Sequence, residues 1–219
     1  MNQNLTEMVF ILDMSGSMWS LTSDTIGGYN TLINNQKKEK GDANVTTVLF
    51  NDKYMTLHDR ANIKDVKEMT DREYSPCGST AMLDAIGNTI TSIGKKLAEM
   101  PEADRPGSVI VTIITDGYEN RSREYTWNQV KEMITHQREK YNWVFTFIGA
   151  NIDTMVVGNN LGIDARLSKS YTANSRGVDS VYKSVSKATT MAREATACGQ
   201  SVHSACFMDS LSDVLDEVE

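Results

Sequence analysis

The sequence predicts an α/β fold built on a doubly wound, mostly parallel six-stranded sheet with helices on both faces. Short, continuously apolar runs recur along the chain, and segments with helical periodicity separate them. Continuous apolar runs indicate strands that are buried on both faces. Alternation of such strands with helices is typical of a parallel sheet, because each parallel connection needs a crossover.

Three apolar runs predict the central strands, at residues 8–13, 108–115 and 143–149. Residues 43–51 and 54–58 flank a polar turn, so they predict a hairpin that adds one antiparallel edge strand. A short sixth strand is expected near residues 165–171.

Helical periodicity predicts the elements between these strands. The clearest helix has apolar residues at alternating spacings of three and four, namely Leu83, Ile86, Ile90, Ile93 and Leu97. An earlier helix is expected to end near Lys40, with Gly41 as its C-terminal stop. Further helices are predicted at residues 126–140, 155–161 and 175–197.

The length and charge of the chain limit its domain count and its function. A chain of 219 residues suits one sizeable α/β domain, which we assign to residues 1–198. The net charge of −7 disfavours a nucleic-acid-binding protein, because phosphate contacts require clustered Lys and Arg.

Residues 199–219 form an acidic, amphipathic C-terminal tail. Five carboxylates and no basic residue follow position 208, namely Asp209, Asp213, Asp216, Glu217 and Glu219. The apolar residues of the tail share one helical stripe: Met208, Leu211, Val214, Leu215 and Val218. The pattern therefore predicts either a short helix folded back on the domain or a docking helix for another protein.

Cysteine usage and hydropathy point to the cytoplasm. Cys77, Cys198 and Cys206 are an odd, widely spread set, which is a poor basis for a disulfide framework and fits a reducing compartment. The N-terminus has no basic region followed by an apolar stretch, and no apolar run approaches the roughly 18–20 residues that span a bilayer. We therefore expect no membrane association.

Oxygen-bearing side chains follow three of the predicted elements. The first strand leads into Asp13, Ser15 and Ser17, Thr80 precedes the clearest helix, and Asp116 follows the second buried strand. Ligands of doubly wound sheets bind at the carboxyl ends of the strands, where strand order reverses. Two carboxylates and three hydroxyls, without sulfur or imidazole, favour Mg²⁺ or Mn²⁺ over zinc.

These residues resemble the metal-ion-dependent adhesion site of von Willebrand factor type A domains. That site combines Asp-x-Ser-x-Ser with a distant Thr and a distant Asp-Gly, and all five positions match here. The likeness in element order covers roughly residues 5–197. It is closest to the stand-alone intracellular domains of bacteria and their viruses, which are similar to assembly or scaffold factors.

The resemblance implies a role for each matching residue. Ser15, Ser17 and Thr80 would supply hydroxyl oxygens to Mg²⁺, while Asp13 and Asp116 would bind the ion directly or through water. One coordination position would stay open for an Asp or Glu side chain of a protein partner. Two aromatic residues beside the site, Trp19 and Tyr118, are expected to form a partner-binding rim.

Four of the five matching residues also have a simpler interpretation. Thr80 could be the N-cap of the following helix, and Asp116 with Gly117 could be only a turn. Ser15 and Ser17 could form an anion-binding nest. The conjunction of three segments, each with the right donor type, favours the metal site over these separate explanations.

Two other classes of function compete with a binding module. A metal-dependent hydrolase or phosphatase-like enzyme could use Asp13 as nucleophile, but that chemistry commonly places an acid two residues later, where this chain has Ser15. The sequence lacks the Gly-x-Ser-x-Gly elbow that would indicate a serine hydrolase. Neither a dinucleotide-binding glycine motif nor a P-loop is present.

Overall fold

The computed structural model describes residues 1–200 and residue 202, and its centre is a six-stranded sheet. The strands are β1 (Asn2–Asp13), β2 (Asp42–Phe50), β3 (Tyr54–Asn62), β4 (Pro106–Thr115), β5 (Val144–Gly149) and β6 (Ser168–Ser170). Their order across the sheet is β3-β2-β1-β4-β5-β6. Only the β2–β3 pair among these strands is antiparallel, so the predicted fold class is confirmed.

Helices cover both faces of the sheet in two layers. They are α1 (Thr22–Gln36), α2 (Met82–Glu99), α3 (Trp127–Tyr141), α4 (Thr154–Leu161) and α5 (Ser175–Ala197). Helices α1 and α5 pack against each other on one face, and α3 packs between α2 and α4 on the other. Helices therefore cover both faces of the central strands, and β4 and β5 are buried over nearly all of their length.

The chain passes from β1 to β2 on one side and later returns to β4 on the other. Strand order thus reverses between β1 and β4, which pair directly in parallel from Thr6 to Leu12. In doubly wound sheets, the loops that leave two such strands form the crevice in which ligands bind, at the carboxyl edge of the sheet.

The predicted end of α1 is wrong. The helix ends at Gln36 and not near Lys40, and Gly41 adopts its left-handed conformation (φ +84°) at the start of β2 rather than as a helix cap. The cause is a tertiary contact from α5. Arg193 Nη1 donates to Gln36 O at 2.6 Å and Nη2 donates to Gly41 O at 3.0 Å, so a distant guanidinium satisfies the carbonyl of the last helical residue and that of Gly41.

Three other elements differ at their ends. Strand β1 begins at Asn2, six residues before the predicted run, and β3 continues to Asn62. The sixth strand contains only Ser168–Ser170, because Ala165–Leu167 forms a 3₁₀ turn. Polar residues pair in these segments although they lack the apolar pattern that predicts a strand.

The acidic tail lies outside the described residues apart from positions 199, 200 and 202. Val202 is buried, with 7% of its surface exposed, and belongs to the hydrophobic core. Within the described part of the chain, no helix has the length and apolar character to cross a membrane.

Two adjacent glycines in α1 meet different surroundings. A side-chain carbon at Gly28 would lie 2.8 Å from Cγ of Tyr182 in α5, whereas a carbon at Gly27 would meet no atom within 4 Å. Gly28 therefore permits the close approach of α1 and α5. Gly27 has no such packing role.

We predict opposite effects of alanine at these two positions. Gly28→Ala forces Tyr182 to move, and overpacking of this kind costs about 1–3 kcal/mol, so its free energy of unfolding should fall. Gly27→Ala should raise it by about 0.5–1 kcal/mol, because alanine is the better helix former. Urea unfolding of both variants checks this pair. Equal stability of the two variants would contradict the packing role of Gly28.

Candidate metal centre

Backbone hydrogen bonds join the loop after β1 to the loop before α2. Gly16 N donates to Gly78 O at 3.1 Å, and Cys77 N donates to Met14 O at 3.0 Å. Gly78 has φ +75°, a left-handed conformation that favours glycine. The two loops are therefore held side by side at the carboxyl edge of the sheet.

The loop after β4 is attached to the same place through Asn120. Thr80 N donates to Asn120 Oδ1 at 2.9 Å, and Asn120 N donates to Thr80 O at 3.0 Å. Ala81 N also donates to Asn51 O at 2.7 Å, which ties the segment to the end of β2. Thr80 is thus positioned from both sides before α2 begins.

The predicted oxygen donors meet in this crevice. Ser17 Oγ donates to Asp116 Oδ1 at 2.5 Å, and the hydroxyls of Ser15 and Ser17 lie 3.1 Å apart. A side-chain carbon at Gly117 would lie 3.6 Å from Thr80 Oγ1 and 3.8 Å from Ser17 Oγ. The absence of a side chain at position 117 leaves room between these hydroxyls.

Asp13 lies behind this group and is almost fully buried, with 1% of its surface exposed. Its Oδ1 accepts a hydrogen bond from Ser15 N at 2.7 Å, and its Oδ2 accepts one from Thr115 Oγ1 at 2.5 Å. Burial raises the pKa of the Asp13 carboxyl to about 6, although these hydrogen bonds oppose the shift. Burial likewise raises the pKa of Asp116, against the opposing hydrogen bond from Ser17.

Two desolvated carboxylates therefore sit at one edge without a protein cation. Among the described residues, neither Asp13 nor Asp116 forms an ion pair with Lys, Arg or His. A bound cation would supply the missing positive charge. Within the same part of the chain, no three His, Cys, Asp or Glu residues are grouped to hold a metal, so hydroxyls must complete any donor set here.

The structure also tests the simpler interpretations of the hydroxyl residues. The N-cap position of α2 is Ala81, with no side-chain capping bond, so Thr80 does not cap this helix. Thr80 Oγ1 has no hydrogen-bond partner among the described residues. Ser15 precedes the 3₁₀ helix Gly16–Leu21 without capping it through its side chain. The hydroxyls of Thr80 and Ser15 are therefore not engaged in capping.

Three supporting residues were missed in the sequence. Thr115 holds Asp13, Tyr74 Oη donates to Asp13 O at 2.6 Å, and Asn120 positions Thr80. Thr115 directly precedes Asp116, so its place at the strand end was a usable signal. Tyr74 and Asn120 act across long sequence separations and carry no local signal.

The aromatic residues of the predicted rim are both exposed. Trp19 has 72% of its surface exposed and Tyr118 has 55%. Tyr118 Oη accepts a hydrogen bond from Asp153 N at 3.1 Å, which brings it to the start of α4. Met155 and Val156, in the first turn of α4, are also exposed and extend the apolar surface beside Tyr118.

Comparison with known proteins gives likenesses in structure alone. No family model matches the chain, and no curated protein does. Proximal thread matrix protein 1 from the mussel byssus matches at a TM-score of 0.60 and 17% identity over 85% of this chain and 46% of that chain. The chain thus spans about half the length of that protein.

Two further similar structures contain metal. The manganese-loaded Plasmodium vivax TRAP protein matches at a TM-score of 0.55 and 17% identity, over 78% of this chain and 70% of that chain. The byssus protein with a zinc-occupied MIDAS motif matches at a TM-score of 0.56 and 17% identity, over 84% of this chain and 46% of that chain. The fold of the present chain is accordingly of the von Willebrand factor type A kind.

The raised pKa of Asp13 predicts a pH effect on the metal-free protein. Because this pKa, about 6, lies above the ordinary value of 3.8, the folded state binds the proton more tightly than the unfolded chain. The resulting stability is present below the ordinary pKa and is lost as pH rises through about 6. Asp13→Asn removes this dependence, because an amide does not titrate in this pH range. The amide oxygen can still accept the hydrogen bond from Ser15 N.

We expect Asp13→Asn in EDTA to exceed the wild type in free energy of unfolding by on the order of 2 kcal/mol at about pH 7.5. The difference should shrink toward zero near pH 4. Urea unfolding at both pH values measures it, with the exposed Asp71→Asn as control. A variant that is less stable than the wild type at both pH values would contradict the conclusion that burial of the ionised Asp13 carboxylate lowers the free energy of unfolding.

Proposed function

We propose that the protein is a metal-ion-dependent protein-interaction module that binds an acidic side chain of its partner through Mg²⁺. The observation that carries this proposal is the convergence, on one edge of the sheet, of three hydroxyls and two desolvated carboxylates that have no cationic partner among the described residues. The donor set fits a hard divalent ion. Its position at the reversal of strand order is where doubly wound sheets bind ligands.

The residues have different parts in this function. Ser15, Ser17 and Thr80 would hold the ion through hydroxyl oxygens, together with Asp116. Asp13, which Ser15 N and Thr115 Oγ1 fix in place, would bind the ion directly or through water. When bound, the ion supplies positive charge and one coordination position for a carboxylate from the partner. The chain itself keeps the donors in place, because its three loops are joined by backbone hydrogen bonds.

Mg²⁺ is the ion that we assign, with Mn²⁺ as a possible substitute. Both prefer oxygen donors, and Mg²⁺ is the ion that most often retains water beside one or two carboxylates. The manganese and zinc in the two related structures support a divalent ion in general. We therefore treat zinc as a competitor to be measured.

The exposed apolar residues around the crevice would supply contact area to the partner. Trp19 lies on the 3₁₀ helix that contains Ser17, and Tyr118 lies two residues after Asp116. Aromatic residues bury large surfaces at interfaces. The partner would thus present Asp or Glu within an apolar surrounding.

The cellular setting belongs to the proposal as well. The likeness of the motif to stand-alone intracellular domains supports a scaffold or assembly factor of a bacterial or viral complex in the cytoplasm. Free thiols at Cys77 and Cys198 are compatible with a reducing compartment. Neither nucleic acid nor a membrane is part of the proposed assembly.

Catalysis by Asp13 has less support. Its carboxylate is buried, and each of its oxygens already accepts a hydrogen bond, so neither oxygen is placed for attack on a substrate. A binding role uses the same carboxylate without requiring its exposure.

Metal binding is tested by replacing each of two serines of the 3₁₀ helix Gly16–Leu21 with alanine. Ser17→Ala should weaken Mg²⁺ and Mn²⁺ binding in titration calorimetry by at least about tenfold, roughly 1.4 kcal/mol, through loss of a ligand oxygen. Exposed Ser20→Ala is the matched control and should bind as the wild type does. Asp13→Ala should abolish binding while circular dichroism shows a folded chain. Unchanged affinity of Ser17→Ala would exclude that hydroxyl from the site.

Partner recognition is tested by selecting random displayed peptides on the immobilised protein. In Mg²⁺ we expect enrichment of peptides with Asp or Glu flanked by apolar residues, because the carboxylate completes the metal shell. EDTA and Asp13→Ala should both abolish the enrichment. Peptides that are retained equally without metal, or that lack an acid, would contradict the proposed function.

A further inference from the structure

Tyr171 lies immediately after β6, at the same edge of the sheet as the candidate metal donors. Its backbone N donates to Gly149 O at 3.0 Å, and Ala150 N donates to Thr115 O at 3.0 Å. These two bonds continue the sheet from Tyr171 across the end of β5 to the end of β4, where Asp116 follows. Neighbouring strands lie about 4.8 Å apart, so two intervals, about 10 Å, separate the backbone of Tyr171 from the end of β4.

The side chain of Tyr171 turns toward the face of the sheet that α1 and α5 cover. Ser170 Oγ lies 2.8 Å from Thr154 Oγ1 of α4, which covers the opposite face. Because successive side chains of an extended chain alternate between faces, Tyr171 points away from α4. Burial, and after it the nearby Tyr171, raises the pKa of Tyr182 in α5, which agrees with this orientation.

The hydroxyl of Tyr171 makes no use of its capacity for hydrogen bonds within the described chain. The ring packs against the hydrophobic core, and the hydroxyl oxygen is buried without a hydrogen-bond partner among the described residues. A tyrosine hydroxyl can both donate and accept a hydrogen bond, and buried hydroxyls in folded proteins generally do so. This hydroxyl is therefore available to a ligand that joins the folded chain.

Two carboxylates of the candidate metal centre act on this hydroxyl. Burial raises the pKa of Tyr171, and the charges of Asp116 and Asp13 raise it further. The tyrosine therefore stays protonated, and its hydroxyl lies close enough to both carboxylates to respond to their charge. Asp116 Oδ1 accepts its hydrogen bond from Ser17 Oγ instead. The Tyr171 hydroxyl is thus near the carboxylates without being bonded to them.

Hydrated Mg²⁺ has the chemistry that this hydroxyl could serve. Mg²⁺ usually keeps several waters beside one or two carboxylates. These waters donate hydrogen bonds strongly, and groups that bond the ligands of a metal fix their orientation and raise the affinity for the ion. A protonated, buried hydroxyl that is neutral and otherwise unused can accept such a bond.

We propose that Tyr171 is a positioning residue of the metal centre, whose hydroxyl bonds a water held by the ion beside Asp116. The inference rests on the proposed function, because it requires that the centre binds Mg²⁺. It adds to that function a residue from β6, the strand at the far edge of the sheet from β3. The ion would then be held from four segments of the chain, and not only from the three loops.

Tyr182 is the matched comparison for Tyr171. Its hydroxyl is also buried without a hydrogen-bond partner among the described residues. After burial, the groups that raise its pKa are Tyr171 and Tyr29, and neither carboxylate of the metal centre is among them. Phenylalanine at either position removes one oxygen and keeps the ring in the core. Only the change at position 171 should affect the ion.

Titration calorimetry of the full chain with Mg²⁺ tests the role of the hydroxyl. Tyr171→Phe should weaken binding by about tenfold, since loss of such a supporting group typically costs roughly 10–100-fold. Tyr182→Phe should bind as the wild type does. Unchanged affinity of Tyr171→Phe, in a chain that binds Mg²⁺, would overturn this inference and leave the proposed function standing. A wild type that binds no Mg²⁺ would overturn both.

Urea unfolding separates this role from a purely structural one. In EDTA, Tyr171→Phe should not lower the urea midpoint, because the hydroxyl forms no hydrogen bond with the described residues. At one fixed excess of Mg²⁺ the midpoint of the variant should rise less than that of the wild type, because a weaker ligand stabilises less. An equal loss of stability with and without Mg²⁺ would make the hydroxyl structural and overturn the inference.

Discussion

The burial of two carboxylates at the ends of adjacent central strands is the constraint on which this structure depends. Desolvation makes an ionised carboxylate costly unless hydrogen bonds or a counter-charge compensate it. Asp13 receives hydrogen bonds from Ser15 N and Thr115 Oγ1, and Asp116 receives one from Ser17. No cationic side chain of the described residues completes this compensation, and this supports the proposal that a metal ion does so.

The surrounding fold keeps the carboxylates in this position. The parallel pair β1–β4 is covered by helices on both faces, which excludes water from the strands and fixes their ends. Backbone bonds between the loops around Gly16, Gly78 and Asn120 then hold the hydroxyls beside the carboxylates. Preorganisation of this kind lowers the conformational cost of binding a ligand. The packing of the core thus also fixes the positions of the candidate metal donors.

The carboxyl edge of the sheet combines two features. Asp13, Asp116 and the neighbouring hydroxyls are hard oxygen donors, and the side chains of Trp19 and Tyr118 are exposed beside them. This combination supports the proposed binding of an ion and of an acidic side chain from a partner.

The sequence alone determined the sheet class, because apolar runs and helical periodicity are local properties that each segment carries by itself. It also determined that Asp13, Ser15, Ser17, Thr80 and Asp116 would meet, since parallel strands place their carboxyl ends at one edge. The tertiary structure alone decided the end of α1, the burial of Asp13 and the role of Tyr74. Arg193 lies more than 150 residues from Gln36 in the chain, and no local pattern encodes a contact of that range. Only packing shows which polar groups are left without partners, because that depends on neighbours that the fold brings together.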